Sequence, residues 1–297
     1  MSTSFWINNA KDLGYHDMIR RVSEKDLRLK EETELGGSLQ WPEGQLHFYI
    51  DNLSCRPIEI TYDGDLFQIR ILQASSIADY ELALKFVVAA AEATEGTIDT
   101  ENEGRLTLNA FQKKYDLKWC QAHMQRMLEM LIEMYEHKSS RITLSGCKCD
   151  LKIGPRFMNQ VLQDPENFSK NFFERFRRLQ YLENEDIFIA AVITVSDKEN
   201  PYKEAKVAVL AEAVATALSI SADVIAIRNQ EGHYLNLRTD EFINLLGEDA
   251  FWLSEELLIT KSYQGRDFEQ LWSKAESLAL PIEQCYVDKT TDREHLE

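Results

Sequence analysis

PIEITYDGDLFQIRIL, residues 57–72, decides how the chain is read. Phe67, Ile69 and Ile71 point to one face of an extended segment while Gln68 and Arg70 point to the other. That two-residue period belongs to an antiparallel sheet with one buried side. Tyr62-Asp-Gly-Asp65 interrupts the run. Asp-Gly between alternating segments signals a hairpin, because glycine accepts the positive φ of a tight primed turn. Residues 45–50 supply a third strand-like run just upstream.

Downstream, Ser75-Ser-Ile-Ala-Asp79 leads into a helix predicted over 78–93, with Leu82, Phe86, Ala89, Ala90 and Ala93 on one face. Asp79 and Glu81 suit its positive N-terminal end, and Gly96 is a reasonable stop. A strand, a turn and a helix with small residues outline many nucleotide-binding units. Here the connection over 73–79 has no glycine to let backbone N–H groups approach a phosphate, and it carries an acid at the helix mouth. The unit reads as scaffold, its alanines permitting close approach to a sheet.

Further out, residues 5–7 suggest a short edge strand and 23–34 a charged surface segment, with Gly36-Gly37 and Trp41-Pro-Glu-Gly44 as punctuation. A helix capped by Thr107 runs through 115, and a longer one covers 117–137. Residues 141–145 and 149–153 form a hairpin around Gly146. Helices follow at 155–162 and 165–182, the second opened by Asp164-Pro165. Residues 187–195 read as an apolar strand, 202–218 as a helix and 222–227 as a returning strand. Phe188 and Tyr202 stand about 120 residues after Phe67 and Tyr80, which suggests a duplicated strand–helix–strand unit. Strands at 233–237, 257–260 and near Cys285, helices after Thr239 and over 267–278, and a charged tail from Asp288 complete the pattern. The predicted class is α+β: two similar halves, 1–140 and 141–297, each a mainly antiparallel sheet with helices on one face. The halves are free to form one continuous body.

With 44% hydrophobic and 28% charged residues, the composition is globular. A net charge of −17 repels phosphate backbones and anionic lipid heads, so neither nucleic acid nor a membrane surface is an expected partner. The densest basic stretch, 173–178, carries its own acid and reads as a solvated helix face beside an aromatic core stripe. No secretory signal opens the sequence, and the uncharged run 187–195 is too short to span a bilayer as a helix. Five scattered cysteines fit reduced thiols and a cytoplasmic location.

The best metal constellation is Cys120 and His123, three apart on one helix face, with Cys147 and Cys149 on the hairpin. Neither half has a zinc-ribbon spacing, and Cys147 and Cys149 would both have to face the helix to complete a site. Buried or idle thiols are the expectation, with no metal ligand and no cofactor assigned. Met124, Met127, Met130 and Met134, with Leu128 and Leu131, form a soft stripe suited to core packing. No nucleophile elbow is present, and the acid pairs Asp63/Asp65 and Glu255/Glu256 fall at a turn or an element edge. His233 reads as a surface histidine, and Trp41 and Trp252 as turn aromatics suited to a binding face. No catalytic residue is assigned.

The run 57–72 followed by Ser75-Ser-Ile-Ala-Asp-Tyr-Glu-Leu-Ala83 resembles part of an uncharacterised domain-of-unknown-function family of cytoplasmic bacterial proteins of similar length. The likeness covers about the first 110 residues, and its motifs are structural. It implies a bacterial, cytosolic protein and transfers no catalytic residue. The functional expectation is a non-enzymatic interaction protein whose acidic surface meets a basic protein partner. Immunity-like (toxin-neutralising) proteins are its most concrete version. The alternative is a small-molecule-binding protein or enzyme with its site at the junction of the two halves.

Overall fold

The computed structural model describes residues 2–8, 10, 14–30, 41, 44–138 and 141–288. The punctuation expected at Gly36-Gly37 and Pro42-Glu43, the last residues of the 23–34 segment and the tail beyond Asp288 lie outside the described residues. The chain forms two compact units, Met1–Leu151 with Asp164–Gln180, and Lys152–Gln163 with Tyr181–Glu297.

In chain order, the first elements are β1 (Ser2–Ile7), α1 (Tyr15–Val22), β2 (Leu27–Leu29), β3 (Gln45–Ile50), β4 (Ile58–Tyr62) and β5 (Phe67–Leu72). Then come α2 (Ile77–Thr94), β6 (Ile98–Thr100), β7 (Gly104–Leu106), α3 (Leu108–Lys114), α4 (Leu117–Lys138) and β8 (Ile142–Leu144). After β9 (Leu151–Ile153) and α5 (Pro155–Leu162), α6 (Phe168–Gln180) returns to the first unit.

The first unit is built on a seven-stranded sheet of order β2-β3-β4-β5-β1-β6-β7, antiparallel throughout. The Asp-Gly hairpin closes β4 onto β5 in the expected register, with Tyr62 opposite Phe67 and Ile60 opposite Ile69. Phe67, Ile69 and Ile71 are buried, and Arg70 on the opposite side is exposed. α2 covers the buried face with Leu82, Phe86 and Ala90. The expected edge strand at 5–7 is corrected: β1 lies inside the sheet between β5 and β6. Its brevity hid the fact that Phe5 and Ile7 are wholly buried.

The second unit contains α5 and a series after Gln180: β10 (Phe188–Ile189), β11 (Ile193–Ser196), β12 (Lys203–Ala211), β13 (Thr216–Ser219), β14 (Val224–Arg228) and β15 (Tyr234–Arg238). It closes with α7 (Thr239–Leu246), β16 (Phe251–Ser254), β17 (Leu257–Ile259), α8 (Gly265–Glu276) and β18 (Val287–Asp288). One sheet has the order β10-β13-β17-β16; the other runs β11-β12-β14-β15 with β18 also on β12. Only β10–β13 and β12–β14 pair in parallel among the described strands. The protein is thus α+β with mainly antiparallel sheets.

The helix predicted over 202–218 is corrected to β12 and β13. β12 is covered on both faces: Ala205 and Val207 join a cluster with Cys285, whereas Ala208 and Leu210 face Phe242, Trp252 and Phe268. A strand apolar on both sides loses its alternation and mimics a helical stripe. The strand predicted over 187–195 divides into β10 and β11, which sit in different sheets. Without a second helix near Tyr202, the second strand–helix–strand unit does not form, and the expected duplication is not seen among the described residues.

α5 shows how the second unit secures a helix start. Gly154, its N-cap, has no side chain, and the carboxylate of Glu255 supplies the missing acceptor to the amides of Arg156 at 2.9 Å and Phe157 at 3.3 Å. A methyl group at Gly154 would lie 2.5 Å from Glu255 Cδ, so the glycine is required for this approach. Glu255 is almost fully buried. Replacing it with alanine is expected to cost about 2–3 kcal/mol of stability by stranding these donors. Urea unfolding checks this; a loss below about 0.5 kcal/mol, the size of an ordinary surface substitution, would refute the cap.

Among the described residues no helix is long and apolar enough to cross a membrane.

Candidate functional site

The loop between β3 and β4 and the start of α2 are locked by one buried carboxylate. Asp79 Oδ2 accepts from Ser76 N at 2.7 Å, Ser76 Oγ at 2.9 Å and Arg56 N at 3.2 Å. With the Asp79 amide donating back to Ser76 Oγ, this is a reciprocal capping box. Asp79 is completely buried, and desolvation lifts its carboxyl from the usual range to about 6 despite those donors. Arg56, also buried, donates through Nε to Ser145 O at 2.8 Å and through Nη1 to Gln73 O. Burial lowers the pKa of its guanidinium, opposed chiefly by the neighbouring Asp79.

The hairpin beyond β8 is held by Gln180 of α6. Its Oε1 accepts from the amides of Lys148 at 2.8 Å and Cys149 at 3.0 Å, and its Nε2 donates to Cys149 O at 2.8 Å. A methyl group at Gly146 would collide with Cys149 O and the Gln180 amide, so this turn requires a residue without Cβ.

A groove of about 510 Å³ opens beside this lock, within the first unit. Leu53, Cys55, Ile77, Ala78, Met124 and Phe173 make it apolar. Its volume falls within the range of small-molecule sites. Three exposed residues of α6, Lys170, Glu174 and Arg177, edge it. Neither cation has a carboxylate within 4 Å among the described residues. The first-turn amides of Ile77 and Ala78 have no acceptor within their own helix and belong to the same lining. Cys55 is not a ready nucleophile: burial pushes its thiol well up, and Sγ donates to Phe173 O at 3.7 Å. The arrangement favours binding an apolar body and balancing one negative charge.

The sequence candidates fall in different places. Cys120 is buried on α4, its thiol pushed up to about 12 by desolvation. His123 Nε2 lies 2.8 Å from Thr3 Oγ1 and its ring stacks on Trp119 at 4.8 Å. Burial lowers its pKa, with Arg126 adding a smaller push. Cys147 is buried with Sγ on Ser54 O at 3.7 Å, and Cys149 is exposed. Among the described residues no three His, Cys, Asp or Glu side chains are grouped to hold a metal ion. Of the methionine stripe, Met127 packs in the interior while Met124 lines the groove.

Asp63 closes its turn by accepting from the Leu66 and Asp65 amides, which hold its carboxyl below the usual range. His233 is exposed beside Glu231 at 3.4 Å. The expectation of Trp41 and Trp252 as exposed binding aromatics is corrected: both are buried, Trp41 against Phe67 and Trp252 beneath Arg156. Sequence reading missed the groove because its walls come from residues far apart along the chain. The one local signal was the placement of Lys170, Phe173 and Arg177 three and seven residues apart on α6.

A family model described as Domain of unknown function (DUF4299) matches residues 2–271. No curated protein and no solved structure matches the chain.

Proposed function

The chain belongs to the DUF4299 family, a domain of unknown function, and we propose that it is a non-enzymatic binding protein whose first unit takes a small amphipathic anion. The groove lined by Leu53, Met124 and Phe173 and edged by Lys170 and Arg177, which have no carboxylate partner among the described residues, carries this reading. The apolar walls suit a hydrocarbon or aromatic body, and the two cations exceed the single acid Glu174. A buried, protonated thiol at Cys55 supports binding over covalent chemistry. The five free thiols support a cytoplasmic setting.

Calorimetric titration of the full chain with decanoate, decanol and decyltrimethylammonium tests the proposal. Decanoate is expected to bind at least about tenfold more tightly than the cation, a difference of about 1.4 kcal/mol. Ala78→Trp, which fills the groove at the second position of α2, abolishes binding. Lys170→Glu with Arg177→Glu removes the preference for decanoate while decanol still binds. Failure of all three probes, or indifference to Ala78→Trp, would overturn the reading.

A second reading rests on the net charge of −17: a surface that attracts a basic protein, immunity-like (toxin-neutralising) in its most concrete form. Its signature is association with a defined polycation that weakens steeply as salt is added.

A further inference from the structure

Residues 187–195, IFIAAVITV, carry no charge, yet they contribute four exposed apolar side chains in the second unit. Phe188 is 47% exposed, Ile189 50%, Val192 37% and Ile193 52%. Both strands of this segment are sheet edges. β10 pairs only with β13 and β11 only with β12 among the described strands, leaving the outer side of each without a neighbour. Edges of this kind are ordinarily blunted by lysine, proline or a covering element, and β-prone uncharged runs at an open edge invite pairing with another chain.

The ends of the segment carry the opposite kind of residue. Asp186 precedes it, and Asp197 and Glu199 follow, with Lys198 the one cation between Asp186 and Glu199. A second copy of this chain would bring the same acids against these, in a protein already at −17. The charge pattern fits a partner that is apolar in the middle and basic at its ends. We infer that residues 188–196 form a docking edge for an extended segment of a basic protein, added as a strand beside β11. Its apolar side chains, pointing alternately to the two faces, lie beside Val192 and Ile193, and its lysines or arginines meet the flanking acids. Main-chain hydrogen bonds supply affinity in such strand addition, and side-chain contacts select the partner. The inference rests on the basic-partner reading and adds to it a place and a mode.

Fluorescence anisotropy of the full chain with a labelled peptide, three Thr-Val pairs between two lysine triplets, tests it. The same core between glutamate triplets and a polylysine of equal charge serve as comparisons. The lysine-flanked peptide is expected to bind at least about tenfold more tightly than either. Ile193→Lys and, separately, Val192→Asp are expected to reduce that binding at least about tenfold while leaving polylysine unchanged; both side chains are exposed, so neither change opens the core. Equal binding of the two flanked peptides, or indifference to both substitutions, overturns the docking edge. If polylysine binds as tightly as the peptide, the acidic-surface reading stands and the docking edge fails. If neither binds, both fail. A concentration-dependent dimer abolished by Ile193→Lys in sedimentation would place a second copy on the strip and overturn a basic partner.

Discussion

Asp79→Ala lowers the stability of the first unit by about 2–4 kcal/mol at pH 5. The substitution strands the amides of Ser76 and Arg56, which both donate to Oδ2 of the buried carboxyl. It also removes half of the capping box that starts α2, the helix covering the sheet. The loss depends on pH in a defined direction. Burial holds the folded-state value at about 6, above the ordinary value of 3.8 for an unperturbed aspartate. Between those limits the folded chain keeps a proton that the unfolded chain has released, so stability falls as pH rises. The contribution is complete below about pH 4 and is lost through about pH 6, a span worth roughly 3 kcal/mol. Against the alanine variant, the native protein's advantage therefore shrinks by about 1–2 kcal/mol between pH 5 and pH 7.5. Urea unfolding at both values measures it. An advantage that grows with pH would contradict a carboxyl lifted by burial.

Phe5→Ala is expected to cost about 3–5 kcal/mol, as for other large core aromatics. Its ring meets Phe111 at 5.3 Å, Tyr115 at 5.1 Å and Trp119 at 6.2 Å, all in edge-on geometry. Such pairs add stabilisation beyond the area they bury. An edge strand, as the sequence suggests for residues 5–7, would predict a loss below about 1 kcal/mol. Thermal or urea unfolding of this one variant separates the two placements of β1.

The same residue shows where sequence legibility ends. The meander from β3 to β5 and the helix after it were readable because Asp-Gly sets the turn and Phe67, Ile69 and Ile71 alternate within a sheet open on one side. β1 follows the same alternation, but its central position depends on pairing with β6, about 90 residues away, which no local pattern encodes. β12 failed for the opposite reason: packing on both faces erased the alternation that distinguishes a strand from a helix. The capping role of Asp79 was half legible, since an acid at a helix start was evident but its complete burial was not. The groove was illegible as a site. Met124 was anticipated as packing and the basic stretch at 173–178 as a solvated face, and only the fold brings Met124, Phe173 and Arg177 beside the start of α2. Trp41 and Trp252 misled because large aromatics near glycines and charges look exposed, whereas each fills an interior gap.

The groove of the first unit is proposed to hold an amphipathic anion. The most direct measurement is methyl nuclear magnetic resonance of the full chain, labelled at methionine and isoleucine, during titration with decanoate. Saturable shifts are expected at Met124 and Ile77, both in the lining. Shifts confined to methyl groups outside the groove, or no saturable shift at Met124, would contradict it.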